Sequence, residues 1–159
     1  MVPFVTLFIV YTCIQKVKGI LIMALQVVVW GTGNVGRPAI RAVLSHRDLE
    51  LVGVVVASKD KVGRDAGEIA GTGNTGVIAT DDWRSVLQCG ADVVVYTATA
   101  DIRPEEAMTD LLACLEAGIN VVSTAFYAFL ERGSSPPEAL QLVEGACKKS
   151  GASLFVSGI

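Results

Sequence analysis

Three glycines in the amino-terminal part of the chain have the spacing Gly-x-Gly-x-x-Gly. They are Gly31, Gly33 and Gly36, and they directly follow an apolar run at residues 27–30. In a turn between a strand and a helix, the first glycine permits the bend, the second lets the backbone approach a pyrophosphate, and the third lets the helix pack closely on the strand. Amide groups at the start of the helix then face the phosphates. The spacing therefore predicts a phosphate-binding turn.

The flanking sequence predicts the elements that such a turn requires. Residues 27–30 read Val-Val-Val-Trp, which is typical of a parallel strand buried on both faces. Residues 39–44 have the pattern of an amphipathic helix, and residues 49–57 predict a second strand. This order favours a dinucleotide-binding unit over an ordinary glycine-rich loop. The predicted cofactor contacts in the turn are Gly31, Thr32, Gly33, Asn34, Val35, Gly36 and Arg37.

The end of the second predicted strand bears on the choice of nicotinamide cofactor. A site for NAD usually places a carboxylate there for the ribose 2′-OH, whereas a site for NADP offers groups that bind the 2′-phosphate. Ser58 and Lys59 occupy this position, with Lys61 and Arg64 close behind. These residues predict NADP as the cofactor. NAD stays open because Asp60 could reach a ribose, and the alternative for the lysines is a solvated loop.

Two later strands, predicted at residues 91–99 and 119–125, end in small and hydroxyl-bearing residues. Ligands of open α/β sheets bind beyond the carboxyl ends of the strands, at the topological switch point. We therefore expect these strand ends to line the nicotinamide end of the site, although a plain exit from strand to loop is the alternative. The candidates are Thr97, Ala98, Thr99, Ser123 and Thr124.

A second Gly-x-Gly-x-x-Gly occurs at Gly71, Gly73 and Gly76. It follows no apolar strand, and a short strand-like segment at residues 77–79 comes after it where a dinucleotide turn would have a helix. We expect a flexible loop near the adenosine end of the site.

The two glycine-rich segments together form a longer pattern. It reads Gly31-x-Gly33-x-x-Gly36-Arg37 and then Gly63-x-Asp65-x-Gly67-Glu68-x-Ala70-Gly71-x-Gly73-x-Thr75-Gly76. This pattern resembles the amino-terminal domain of dihydrodipicolinate reductases. The Val-x-Trp-Gly-Thr-Gly-Asn-Val-Gly opening is more similar still to 2,4-diaminopentanoate dehydrogenase-like oxidoreductases. The resemblance, over residues 25–159, implies an α/β fold with a Rossmann-type doubly wound parallel sheet and an NAD(P) cofactor.

The resemblance also implies a reaction, the transfer of hydride to or from an imine, amine or carbonyl substrate. Dihydrodipicolinate reductases usually carry Gly-Thr-Thr-Gly at the fifth strand tip, where this chain has Ser123-Thr124-Ala125-Phe126. The tip therefore departs from the family pattern but keeps its hydroxyl groups. The aromatic residues that follow are expected either to wall a substrate pocket or to cover the end of the sheet. They are Phe126, Tyr127 and Phe129.

Composition excludes several other classes of protein. The 159 residues carry a formal net charge of -3 with no basic block among aromatics, which argues against a nucleic-acid partner. The four cysteines are scattered without ligand spacing, so no metal site and no disulfide framework are predicted, and a reducing, cytoplasmic location is expected. His46 is expected in an exposed loop, and no nucleophile and base are paired. No catalytic residue is assigned.

Residues 1–22 differ from the rest of the chain. Their apolar run, residues 3–14, is shorter than the roughly twenty residues that span a bilayer, and it lacks the features of a secretory signal. We expect Met23 to be the natural start and residues 1–22 to be an apolar extension outside the native domain, with no membrane partner. A membrane anchor and an extra packed element stay open.

Residues 23–159 are predicted to form one NAD(P)-binding Rossmann domain. Because the predicted elements fill a single Rossmann sheet, the carboxyl-terminal substrate domain of the resembled families is expected to be absent. In those families that part supplies most substrate contacts, the catalytic groups and the oligomer interface. The expected function is the cofactor domain of an oxidoreductase with a small-molecule substrate, which could form a homo-oligomer at full length. The alternative is a non-catalytic, redox-sensing NAD(P)-binding module.

Overall fold

The structure is a computed structural model that describes residues 24–157. The expectation of an apolar extension at residues 1–22 concerns residues outside this range.

Six parallel strands form one sheet in the order β3-β2-β1-β4-β5-β6. Consecutive strands run outward from β1 in one direction and then, starting again at β4, in the other. This is the Rossmann order, and its topological switch point lies between β1 and β4. The predicted fold class is therefore confirmed. The strands are β1 Leu25–Trp30, β2 Leu49–Val55, β3 Ala79–Thr80, β4 Val93–Tyr96, β5 Asn120–Ser123 and β6 Leu154–Val156.

Helices cover both faces of the sheet. Val27 and Val29 point to one face and pack with Ile40 of the first helix, while Val28 and Trp30 point to the other face. The valine-rich strands read as continuous apolar runs because both faces are covered. The helices are α1 Gly36–Ser45, α2 Ala66–Ala70, α3 Trp83–Leu87, α4 Pro104–Glu116 and α5 Pro137–Ser150, and short 3-10 turns occupy Lys59–Lys61, Tyr127–Phe129 and Arg132–Ser134.

Two helices begin at residues that favour a helix start. Asp82 caps α3 by accepting a hydrogen bond from the Ser85 amide at 3.3 Å, and α4 begins at Pro104. Leu111 and Leu115 of α4 are fully buried. Between residues 24 and 157, no helix combines the length and the hydropathy needed to cross a membrane.

The structure corrects the predicted ends of two strands and adds one helix that the sequence did not indicate. Strands β4 and β5 end at Tyr96 and Ser123, so Thr97 and Thr124 belong to the loops beyond them. Helix α2 was missed because its five residues are too few to show helical periodicity. The position of Thr97 and Thr124 in loops is compatible with a role in a site, because irregular backbone after a strand can turn toward a ligand.

Candidate functional site

The three glycines of the first motif have three different surroundings. Gly31 has a positive φ of 100°, and a Cβ atom there would lie 2.8 Å from the Ala98 nitrogen. A Cβ atom at Gly36 would lie only 1.9 Å from the Gly31 carbonyl oxygen. Gly33 is exposed, and a Cβ atom there would meet no described atom within 4 Å. The packing of the protein thus requires glycine at the first and third positions, and leaves open space at the second.

The amino terminus of α1 presents unused hydrogen-bond donors beside this space. Among residues 24–157, no protein acceptor takes a hydrogen bond from the backbone N–H groups of residues 33–36. Val35 provides no side-chain cap, and the first turn holds no acidic residue. Asn34, Val35 and Arg37 are exposed. Free amides at the positive end of a helix dipole can hold an anion there.

Thr97 fastens the exit of β4 to the glycine turn. Its amide donates to the Trp30 carbonyl at 2.7 Å, and its hydroxyl lies 3.1 Å from both the Trp30 and the Gly31 carbonyl oxygens. The hydroxyl that was predicted to face a ligand is therefore engaged in positioning the turn. This contact also explains why a side chain at Gly31 or Gly36 would clash with Thr97.

A groove of about 160 Å³ lies between the turn and the ends of β4 and β5. It brings together five of the predicted site residues from three separate segments, as the topological switch point requires. Among the residues predicted at the ends of the two later strands, Ser123 alone does not line the groove. Its side chain is fully buried, and its hydroxyl donates to the Tyr96 carbonyl and accepts from the Ala125 amide. The groove is lined by Val35, Thr97, Ala98, Thr99, Ala100, Asp101, Thr124, Ala125 and Tyr127.

The aromatic residues after β5 divide between the two roles that the sequence left open. Phe126 is buried, and its ring centroid lies 5.0 Å from that of Tyr96 and 6.5 Å from that of Phe129. These rings cover the end of the sheet. Tyr127 is exposed and lines the groove.

A buried polar network behind the groove was not foreseen from the sequence. The Tyr96 hydroxyl donates to the Asp110 carboxylate at 3.0 Å, and the Arg103 guanidinium donates to the same carboxylate at 2.8 Å. Burial raises the pKa of Tyr96, and the nearby charge of Asp110 raises it further, so the hydroxyl keeps its proton. Because Arg103 precedes α4, the network fixes the loop of residues 97–103 against that helix. In the sequence, the spacing Arg103-x6-Asp110 was the signal that could have indicated this network.

The predicted residues at the end of β2 already have partners. Lys59 forms an ion pair with Asp81, and the Ser58 hydroxyl donates to Asp60. The Ser58 hydrogen bond lowers the pKa of Asp60, and the charges of Lys61 and Arg64 act in the same direction. Lys61 instead reaches the glycine turn, where its Nζ lies 3.3 Å from both the carbonyl and the hydroxyl oxygen of Thr32.

The segment with the second glycine motif is organised by one carboxylate. Asp65 accepts hydrogen bonds from the Gly67 amide at 2.7 Å, the Thr75 amide at 2.9 Å and the Gly76 amide at 2.7 Å. A Cβ atom at Gly67 would lie 1.8 Å from the Gly73 carbonyl oxygen. The second glycine motif, expected to be a flexible loop, thus forms a loop that follows α2 and packs closely against it.

We expect Asp65→Asn to remove an acid-sensitive part of the stability. Burial alone would raise the pKa of Asp65, but hydrogen bonds from Thr75, Gly67 and Gly76 outweigh it and lower the pKa from 3.8 to about 2. A carboxylate with a lowered native pKa stabilises the fold in full above its ordinary pKa, and this contribution disappears as the pH falls through the native value. Urea denaturation from pH 6 to pH 2 measures the difference. The free energy of unfolding of the unmodified chain is expected to fall more steeply below about pH 4 than that of the variant, and parallel curves would contradict the assignment.

Comparison with known proteins agrees with this geometry. The family profile described as dihydrodipicolinate reductase, N-terminus, matches residues 25–128. An amine dehydrogenase of Streptomyces virginiae is 46% identical over 136 residues, which is 85% of this chain and 38% of the relative. A 4-hydroxy-tetrahydrodipicolinate reductase of Chromobacterium violaceum is 36% identical over 97 residues, 60% of this chain and 34% of the relative.

A solved structure has the same fold. The amine dehydrogenase from Mycobacterium smegmatis superposes with a TM-score of 0.72 at 29% identity, over 82% of this chain and 38% of that protein. The chain thus spans well under half the length of the proteins that it matches. The profile match at residues 25–128 takes in the glycine turn, the Asp65 segment and the tips of β4 and β5. The chain belongs to the family of dihydrodipicolinate reductase amino-terminal domains.

Proposed function

We propose that this chain is the cofactor-binding domain of an NAD(P)H-dependent oxidoreductase that transfers hydride to or from an imine, amine or carbonyl substrate. The observation that carries the proposal is the environment of Gly33. Nothing in the described packing requires glycine there, yet the position opens beside the free amides that begin α1. A pyrophosphate that approaches the backbone accounts for both features.

The groove at the strand ends fits one end of the cofactor. Its volume of about 160 Å³ is below the roughly 300–1,000 Å³ of a typical ligand cavity, so it would hold part of a dinucleotide. Ala98, Thr99 and Thr124 would contact the nicotinamide ribose, while Thr97 holds the turn in position. The nicotinamide, when bound, supplies the hydride. Ser123 is left out of the proposed contacts because its side chain is buried.

The proposed substrate class has support from the relatives. The two relatives, an amine dehydrogenase and a 4-hydroxy-tetrahydrodipicolinate reductase, are both oxidoreductases by name, and the amine dehydrogenase is the more similar to this chain. An amine, or the imine that corresponds to it, is therefore the leading substrate. The described residues that line the groove include only two with ionisable side chains, Asp101 and Tyr127, and neither is paired with a base. We therefore assign the acid-base role in the reaction to neither Asp101 nor Tyr127.

NADP(H) is the proposed cofactor form. At the end of β2, the Asp60 carboxylate accepts a hydrogen bond from Ser58, and Asp81 pairs with Lys59. The same segment contributes the positive charge of Lys61 close to the glycine turn. This balance supports a phosphate on the ribose over a hydroxyl group.

Calorimetric titration of the chain with NADPH and with NADH tests the proposal. We expect roughly micromolar affinity for NADPH, which corresponds to about 8 kcal/mol of binding free energy, and weaker binding of NADH. Stronger binding of NADH would contradict the cofactor form. Binding of neither dinucleotide would contradict the proposal as a whole.

A further inference from the structure

Two lysines on one short turn differ in whether a carboxylate forms an ion pair with them. Both belong to the 3-10 turn Lys59–Lys61 that follows β2. The Lys59 ammonium is paired with the carboxylate of Asp81, which offsets its charge. Lys61 forms no ion pair with any described carboxylate, and both of its hydrogen-bond partners are neutral oxygens of Thr32. Lys61 therefore brings to the glycine turn a positive charge that no direct ion pair offsets, and the Asp60 carboxylate on the same 3-10 turn is the negative charge that interacts with it.

We infer that Lys61, and not Lys59, is the residue that selects NADP(H) by binding its 2′-phosphate. This inference rests on the proposed function and assigns the cofactor preference to one side chain. It also revises the sequence prediction, which placed Ser58 and Lys59 at this role.

The position of Lys61 supports the assignment. In a Rossmann site, the adenosine ribose lies between the first glycine turn and the end of the second strand, where the residues that distinguish the two cofactors are found. Lys61 connects these two elements, because it follows β2 and contacts Thr32, the residue between Gly31 and Gly33. The Lys61 ammonium is thus placed at the edge of the space into which the 2′-substituent of the adenosine ribose would project.

The contacts of Lys61 with Thr32 are weak, so Lys61 is still able to bind an anion. Both distances to Thr32 are 3.3 Å, which is longer than the roughly 2.9 Å of a typical N–H···O hydrogen bond. An ammonium group has three donors, so at least one is available beyond the two that face Thr32. A phosphate would form a charge-assisted hydrogen bond, about twice as strong as one to a neutral oxygen.

A purely structural role for Lys61 makes a different prediction. If its ammonium only fastens the end of β2 to the turn, its loss would lower stability and weaken NADPH and NADH alike. A role in binding the 2′-phosphate affects only the ligands that carry this group. Adenosine 2′,5′-bisphosphate and 5′-AMP isolate the same difference without the nicotinamide.

The test compares Lys61→Gln, Lys61→Arg and Lys59→Gln in the full chain, with Lys149→Gln in α5 as a control for the loss of one surface charge. Calorimetry with the two dinucleotides and the two adenosine nucleotides gives the affinities. We expect Lys61→Gln to weaken NADPH and the bisphosphate by roughly 10- to 100-fold, the value of a hydrogen bond to a charged group, and NADH and AMP by less than about threefold. Lys61→Arg should keep most of the preference for the phosphate, and Lys59→Gln should weaken NADPH by less than Lys61→Gln.

Equal losses of NADPH and NADH in Lys61→Gln would overturn the inference, and so would a larger loss of NADPH in Lys59→Gln. Thermal melting of Lys61→Gln separates these results from unfolding, and the Arg variant provides a second reading should the Gln variant be unstable. If the unmodified chain binds neither dinucleotide, the proposed function itself fails. If it binds both and Lys61 does not discriminate, only the assignment of Lys61 fails.

Discussion

Replacing Gly33 with aspartate is expected to abolish the binding of NADPH and NADH while leaving the fold intact. A side chain at this position meets no described atom within 4 Å, so the substitution should not disturb the packing of the protein. The new carboxylate would instead occupy the space proposed for the pyrophosphate. Two like charges about 4 Å apart repel by about 4 kcal/mol at an effective dielectric constant of 20, which corresponds to roughly a 1,000-fold loss of affinity. Calorimetric titration measures this loss.

The matched control is Gly145→Asp. Gly145 is an exposed glycine in α5 that also has no described atom within 4 Å of a Cβ position, and α5 contributes nothing to the proposed site. It adds the same charge to the chain without touching the turn, so dinucleotide affinity should stay close to that of the unmodified protein. Retained affinity in Gly33→Asp would show that no phosphate lies against the turn.

The second large effect is expected for Gly36→Ala, and it concerns stability. The added methyl group would lie 1.9 Å from the Gly31 carbonyl oxygen and 2.8 Å from the Thr97 hydroxyl oxygen. The helix cannot easily move away, because Ile40 of α1 is fully buried against the sheet. Overpacking usually costs about 1–3 kcal/mol, and a clash with backbone belongs at the upper end of that range. A loss of about 3 kcal/mol lowers the melting temperature of a domain of this size by roughly 6–12 °C.

Gly145→Ala supplies the control for this prediction. The same substitution in an exposed, uncrowded helical position should raise stability by about 0.5–1 kcal/mol, since alanine favours a helix more than glycine does. Thermal melting of both variants therefore gives shifts of opposite sign. A melting temperature for Gly36→Ala within a degree or two of the unmodified chain would mean that the turn is not packed as the structure has it.

Local patterns were sufficient to predict the sheet and the turn. A strand covered on both faces must be apolar throughout, so residues 27–30 were recognisable without any partner. Part of the glycine motif is also explained by local backbone geometry, because Gly31 has a positive φ and a Cβ atom at Gly36 would meet the Gly31 carbonyl oxygen. The cap at Asp82 and the start of α4 at Pro104 are likewise local signals. These features fix the order of elements, and the order of elements fixes the switch point at which the groove lies.

Contacts between distant residues could not be predicted in the same way. Lys59 and Lys61 look equivalent in the sequence, and only the approach of Asp81 to one and of Thr32 to the other separates them. Ser123 was predicted as a contact from its residue type, but the hydrogen bond with the Tyr96 carbonyl holds it in the core. A strand tip rich in hydroxyl groups thus predicts the edge of a site, and the tertiary structure decides which hydroxyl group reaches it.

Mapping of backbone amide shifts by NMR during titration of the labelled full chain with NADPH tests directly whether the glycine turn binds the pyrophosphate. We expect the largest changes at the amides of residues 33–36, which have no acceptor among the described residues, and smaller changes at Ala98, Thr99 and Thr124. Shifts centred on the second glycine motif at Gly71, Gly73 and Gly76, or none at residues 33–36, would contradict it.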